Sequence, residues 1–210
     1  MEQGTNRALD AWQGAFGDEY TKRNAPLPEV LGARLKMWAR ILSSLDGAPP
    51  DSVLEVGANL GLNLRALRLL TQATLTAVEP NASARARLVE DGVLPAGRVH
   101  DGFGAKLPFD DGSHDLVFTS GVLIHVPPAD LAATCREIVR VARRCVLAVE
   151  YNSEQPVELP YRNHEGLLFK RDFGQFYLDT CPGLRVRDYG FFWRPATGLD
   201  NLTWWLFEKP

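Results

Sequence analysis

The chain has 210 residues, 45% hydrophobic and 23% charged, with a net charge of −3. That length suits one domain with a full-sized core, and the slight acidity argues against nucleic acid or an anionic membrane as partner, since both favour basic patches. Cys135, Cys145 and Cys181 are odd in number and widely spaced, so neither a disulfide framework nor a zinc site is suggested. No run of about 18 apolar residues marks a spanning helix. The polar start MEQGTNRALDAW is no secretory signal, so a cytoplasmic protein is the expectation.

Trp12, Phe16 and Tyr20 are spaced by four, as on one helix face. Gly14 and Gly17 interrupt them, which predicts two short helical pieces. This segment is either a flap that packs aromatics on the core or a lid over a ligand, with Tyr20, Arg23 and Asn24 as polar contacts. Residues 28–45 form an amphipathic helix, with Val30, Leu31, Leu35, Trp38, Ile41, Leu42 and Leu45 as its apolar stripe. Gly47, Pro49 and Pro50 end it.

The stretch SVLEVGANLGLNLR, 52–65, organises the rest. An apolar strand at about 52–57 breaks at Gly57, breaks again at Gly61, and becomes a helix through Leu64, Leu67 and Leu70. Glycine allows tight backbone geometry and close approach of a ligand. The helix behind it points free N–H groups at whatever sits over the turn. Glu55 lies inside the apolar strand, where an unpartnered carboxylate is costly, so a polar role at the strand end is expected.

A second strand, Leu75–Val78, runs into Glu79-Pro80-Asn81, and Asn81 can cap a helix at 82–90. Glu79 is 24 residues past Glu55. An acid at the tip of the second strand is where such folds bind ribose hydroxyls. A carboxylate suits a vicinal diol because it accepts two hydrogen bonds. A third short strand at 98–100 precedes Asp101-Gly102. The strand 115–120 is nearly all apolar, as for a central parallel strand. A helix at about 128–141 and a strand at 145–149 follow, ending in Glu150-Tyr151. Both residues stand at the carboxyl edge, where ligands bind in such sheets. Residues 153–169 read as irregular and are followed by a helix at about 170–180. Strands at 184–192 and 201–208 then form an antiparallel hairpin on a parallel sheet.

The strings EVGANLG, VEP, DG and DLVFTSGVLIHV, in that order, resemble the motifs of class I S-adenosylmethionine-dependent methyltransferases. That likeness implies a Rossmann-like α/β fold: a seven-stranded sheet of order 3-2-1-4-5-7-6 with strand 7 antiparallel and helices on both faces. The pieces WQGAFGDEYTKRN, EVGANLGLNLRAL, PYRNHEGLLFKRDF and NLTWWLFEK are similar to methylases associated with pseudaminic acid biosynthesis. The implied layout is one domain, 1–210. It comprises a helical flap (1–45), a cofactor-binding core (52–150), a substrate-facing insertion (151–182) and a terminal hairpin (183–210).

By resemblance, Glu55, Gly57, Ala58, Asn59 and Gly61 hold the methionine part of S-adenosyl-L-methionine, with S-adenosyl-L-homocysteine as product. Glu79 matches the ribose acid, and Pro80 and Asn81 flank the adenine. Asp101 and Gly102 match the loop that reads the adenine amino group. Ser120 and Gly121 lie beside the methyl-bearing sulfur, and His125 under the reaction site. Where many relatives have a further glycine, this chain has Ala58-Asn59, and asparagine tolerates such a turn.

Candidate catalytic residues are His125, Glu150 and Tyr151. His125 can equally cap the next helix or bond a carbonyl. Tyr161, Arg162, His164, Lys170 and Arg171 are the candidate acceptor contacts, because arginine grips carboxylates and phosphates at two points. A solvated loop with surface ion pairs is the competing account. The expected reaction moves a methyl group to an oxygen or nitrogen of a small metabolite, sugar-like or amino-acid-like and anionic in one form. The enzyme would be a monomer or homodimer. Two other readings stay open: an NAD(P)-dependent oxidoreductase, although Asn59 occupies the second glycine position of G-x-G-x-x-G, and a non-catalytic binding protein of the same fold.

Overall fold

The computed structural model describes residues 3–45 and 47–210. The first two residues of the expected flap, and Asp46, lie outside the described residues. Two helices begin the chain, α1 (Gln3–Gln13) and α2 (Ala15–Arg23). Only Gly14 breaks them. Gly17 sits inside α2, where a Cβ would come within 1.9 Å of the Trp12 carbonyl oxygen. α3 (Pro28–Ser43) starts with proline at its first position, where no N–H is needed. It buries Met37, Trp38 and Ile41.

The main sheet contains β1 (Ser52–Val56), β2 (Thr74–Val78), β3 (Val99–His100), β4 (His114–Ser120), β5 (Ala142–Glu150), β8 (Arg185–Phe192) and β9 (Leu202–Glu208). Two short strands, β6 (Val157–Glu158) and β7 (Phe169–Lys170), form a separate antiparallel ribbon inside the segment expected to be irregular. The sheet order is therefore 3-2-1-4-5-9-8 in chain numbering. Counted over the main sheet alone, it is the expected 3-2-1-4-5-7-6, with the last strand antiparallel to both neighbours. A dinucleotide fold has the all-parallel order 3-2-1-4-5-6 instead.

Helices α4 (Leu62–Leu70), α5 (Ala82–Glu90), α6 (Pro128–Val141) and α7 (Phe173–Thr180) complete the layers, and α8 (Arg194–Thr197) joins β8 to β9. Alternation along the strands divides the core in two. Val53, Leu75, Phe118, Leu147 and Trp204 pack toward α3 and α4. Leu54, Val117, Val146 and Phe207 pack toward α6 and α7. Trp38 and Phe118, both fully buried, meet edge to face with centroids 4.7 Å apart. Burying a side chain of this kind contributes on the order of 1.5–3 kcal/mol.

Two boundaries differ by three residues from the sequence reading, and the others by no more than two. α7 starts at Phe173 rather than 170, because Lys170 is held in the β6–β7 ribbon and Asp172 caps the helix by accepting from Gln175 N–H at 2.9 Å. β5 starts at Ala142, because that residue pairs with His114 before a register shift.

Candidate functional site

The carboxyl ends of β1, β2 and β4 face one cavity of about 200 Å³, and α1 and α2 lie over it. Its floor is the turn after β1. Gly57 has φ 75°, and a Cβ there would stand 2.6 Å from Val122 Cγ2. Asn59 adopts φ 47°, a left-handed conformation that asparagine tolerates. Its side chain accepts from Leu60 N–H at 2.8 Å and donates to Thr21 Oγ1 at 3.0 Å, tying the turn to α2. Gly61 (φ 64°) opens α4 but faces Leu88 and Val93, not the cavity.

Two buried acids stand at the strand ends. Glu79 accepts Asn59 N–H at 2.7 Å on one oxygen and Asn81 N–H at 2.8 Å on the other. Each carboxylate oxygen keeps a further lone pair for a ligand. Burial raises the Glu79 pKa, and these two N–H bonds oppose the rise. Glu55 accepts from Asn63 Nδ2 at 2.7 Å, and Asn63 in turn accepts from Trp38 Nε1 at 3.3 Å. The other oxygen, Oε2, is buried without a partner. Burial pushes Glu55 up to about 8, against the Asn63 bond and the nearby Arg34 charge. Arg34 lines the same cavity, and its Nε is also buried and unpartnered. A buried orphan group of this kind costs about 1–3 kcal/mol until a ligand meets it.

Trp12, Tyr20 and Asn24 close the cavity from the helical side. Pro80, Ala58, Ser120 and Gly121 line it, as does His125. His125 Nδ1 bonds the Leu167 carbonyl. A carbonyl only accepts, so Nδ1 carries the proton and the lone pair of the neutral ring is on Nε2. The ring sits between Trp12 (4.6 Å) and Tyr161 (5.0 Å). Burial lowers its pKa to about 4, so it is uncharged at neutral pH.

Several expected contacts lie elsewhere. Arg23 is exposed, with its guanidinium 5.9 Å from the Tyr20 ring. Asn81 caps α5 through Ala84 N–H and donates to the Trp12 carbonyl and to Asp18 Oδ1, so its amide is spent holding the lid. Asp101 is exposed and paired with Arg85 at 2.8 Å; Phe103, Gly104 and Ala105 line the cavity in place of Asp101 and Gly102. Glu150 is fully buried and accepts from Val122 and Leu123 N–H at 3.2 and 3.1 Å. It pins the loop that carries His125 and does not face the cavity. Arg162 (φ 51°) lies over Tyr161, His164 packs on Phe16, and Arg171 packs on Phe176. Tyr151 and Lys170 share a second, polar recess.

The sequence reading missed Arg34 and Asn63. Both are polar residues inside otherwise apolar helix faces, Arg34 four before Trp38 and Asn63 just before Leu64. That placement is the signal that could have found them. Among the described residues, no cluster of His, Cys, Asp and Glu is arranged to hold a metal, and no helix is long and apolar enough to cross a membrane.

Residues 54–147 match the family profile of the methyltransferase domain. No curated protein matches the sequence. Among solved structures, a SAM-dependent methyltransferase from Leishmania major is similar over 97% of this chain and 82% of its own, with TM-score 0.73 and 17% identity. Magnesium protoporphyrin IX methyltransferase from Synechocystis, solved with bound SAH, is similar over 98% and 99%, with TM-score 0.69 and 13% identity. The Burkholderia thailandensis 1,6-didemethyltoxoflavin-N1-methyltransferase, solved with its acceptor and S-adenosylhomocysteine, is similar over 85% and 79%, with TM-score 0.65 and 20% identity. The chain thus has the class I methyltransferase fold, with a methyltransferase-domain match that runs from β1 into β5.

Proposed function

We propose that the chain is an S-adenosyl-L-methionine-dependent methyltransferase acting on an oxygen or nitrogen of a small metabolite. One observation carries this. Two buried, unpartnered polar atoms of opposite charge type, Glu55 Oε2 and Arg34 Nε, belong to residues on the wall of one cavity, which Glu79 also lines. An amino-acid tail offers an ammonium to the first and a carboxylate to the second. A ribose diol offers two hydroxyls to Glu79. S-adenosylmethionine has all of these parts. When bound, it supplies an activated methyl group on a sulfonium, so the chain has mainly to align the acceptor.

The chain's own residues would divide the work as follows. Gly57 and Gly121 leave room for close approach at the β1 and β4 ends. Trp12 and Tyr20 exclude water from above. His125, neutral and with its tautomer set by the Leu167 carbonyl, offers Nε2 as an acceptor for an acceptor's hydroxyl or ammonium proton. Its lowered pKa suits holding that proton's hydrogen bond better than storing the proton. Asp101 and Gly102 act only through the neighbouring 103–105 loop. The likeness to methylases associated with pseudaminic acid biosynthesis extends the reading to sugar-like acceptors; an amino-acid-like acceptor fits equally.

Calorimetry with S-adenosylmethionine tests the assignment. Binding by the wild-type chain and its loss in Glu79→Ala are expected. No binding, or unchanged binding in the variant, would remove the cofactor. Screening metabolite pools by mass spectrometry for the gain of one methyl group would then identify the acceptor.

A further inference from the structure

Beside the cofactor cavity, the carboxyl end of β5 and the β8–β9 connection enclose a second recess. Tyr151, Lys170, Phe191, Arg194, Asp200 and Asn201 are on its walls. These residues come from four separate stretches of chain, so only the fold brings them together. The connection is an ordered turn. Asn201 Oδ1 accepts the Arg194 N–H at 2.9 Å, and Gly198 ends α8 in the left-handed region with φ 75°.

The charges are unevenly committed. Asp200 accepts a hydrogen bond from the Tyr151 hydroxyl, which leaves its other oxygen without a partner among the described residues. Lys170 has its Nζ 5.0 Å from the Tyr151 ring centroid and forms no ion pair among the described residues. The Arg194 guanidinium has no partner among the described residues. The recess therefore has two cations without an ion pair among the described residues and one half-committed carboxylate. An aromatic face, Phe191, stands exposed at its side.

The recess also borders the proposed cofactor site. Arg34, on the wall of the first cavity, is within electrostatic reach of Asp200. Tyr151 is likewise within reach of Tyr20, which lines the cavity, and of Tyr161, which packs on His125. A molecule presented to the cavity from this side would have its far end here.

We propose that this recess is an anion subsite for the methyl acceptor, in which Lys170 and Arg194 grip a carboxylate or phosphate while the acceptor's body lies against Phe191. Asp200 then takes a hydrogen-bond donor next to the anion, and Tyr151 fixes Asp200 in place. Lysine supplies a point charge and arginine a two-point fork, a combination that suits either anion. The arginines of the β6–β7 segment, Arg162 and Arg171, take no part, because neither lines the recess. The inference rests on the methyltransferase reading for its claim about the acceptor. The anion site itself stands apart from that reading.

The test is a titration of the full chain followed by amide NMR, with and without S-adenosylhomocysteine. Inorganic phosphate and acetate are the two anions, and acetamide is the neutral control. Saturable shifts at Phe191, Arg194 and Asn201 with an anion, absent with acetamide, are expected. Lys170→Ala with Arg194→Ala should weaken that binding about tenfold or more, since charge-assisted bonds are lost. The same variant should keep wild-type affinity for S-adenosylhomocysteine. A response to phosphate but not acetate assigns a phosphorylated acceptor, and the reverse assigns an acid. No saturable shift with either anion overturns the proposal, as do equal shifts with acetamide or binding that survives the double exchange. Failure of S-adenosylhomocysteine to bind would sink the methyltransferase reading alone, because the anion titration is also run without it.

Discussion

The two recesses at the sheet's carboxyl edge are built in opposite ways. The proposed cofactor cavity is made of strand ends and the turns directly behind them, and its acids Glu55 and Glu79 are buried and already bonded to backbone or amide donors. The second recess is made of connections, its walls are largely exposed, and its cations form no ion pair among the described residues. A constant ligand can be met by groups fixed on rigid strands, where little ordering is needed on binding. In the proposed acceptor subsite, a variable acceptor would be met by loops, which tolerate change at small cost to the core.

A matched pair of glycines should sharpen this contrast most. Gly57 and Gly198 share φ 75°. At Gly57 an added Cβ also meets Val122 at 2.6 Å, whereas at Gly198 the nearest atom is Ala33 Cβ at 3.8 Å. Gly198→Ala should cost about 1 kcal/mol of backbone strain. Gly57→Ala should cost about 2–4 kcal/mol and close the cavity floor. Denaturant unfolding of both variants measures the gap, and equal losses would break the contrast.

Next in size is Arg34→Met. It should weaken S-adenosylmethionine binding by roughly 10- to 100-fold through loss of charge-assisted bonds, while Arg194→Met leaves that affinity unchanged. Calorimetry decides between them.

Glu55 gives a pH signature. Its folded pKa, raised to about 8 from 4.5, means that the native state binds more protons than the unfolded state between those values. Stability from this group is therefore present at low pH and is lost as pH rises from about 4.5 to 8. Glu150, raised to about 7, adds to the same slope. Glu55→Gln keeps the bond to Asn63 and should flatten the decline, gaining on the order of 2 kcal/mol near pH 8 and losing cofactor affinity. A melting profile that falls as steeply in the variant would refute the burial argument.

The lid should give a smaller, kinetic effect. Asp18→Ala removes the Asn81 bond at 3.0 Å and leaves the α5 cap intact. S-adenosylhomocysteine should then dissociate a few-fold faster, as for loss of one hydrogen bond of about 1 kcal/mol, and stopped-flow release would measure it. Smallest of all, Arg162→Ala on the exposed ribbon should change stability by less than about 0.5 kcal/mol and leave cofactor affinity unchanged.

The sequence alone determined the seven strands of the main sheet, the turn at Gly57, and the two acids at the strand tips, but not the short β6–β7 ribbon. Those features depend on short-range chemistry: apolar runs, glycine's positive φ, and a carboxylate that cannot stay buried without purpose. The order of the sheet followed from resemblance, and the main sheet has that order. What each polar residue touches was decided only by packing. Asn81 stands in the expected motif, yet α2 comes down beside it and takes its amide. Arg23 and Arg34 look alike as letters, but α3 presses against α4 and turns Arg34 toward Glu55, while Arg23 stays at the end of α2 in solvent. Lys170 stood among the candidate contacts and lies on the wall of the second recess. Its companions Arg194 and Asp200 were not among them, because they reach it only when β9 runs back antiparallel beside β5. Periodicity is a property of neighbours along the chain, whereas a site is a property of neighbours in space.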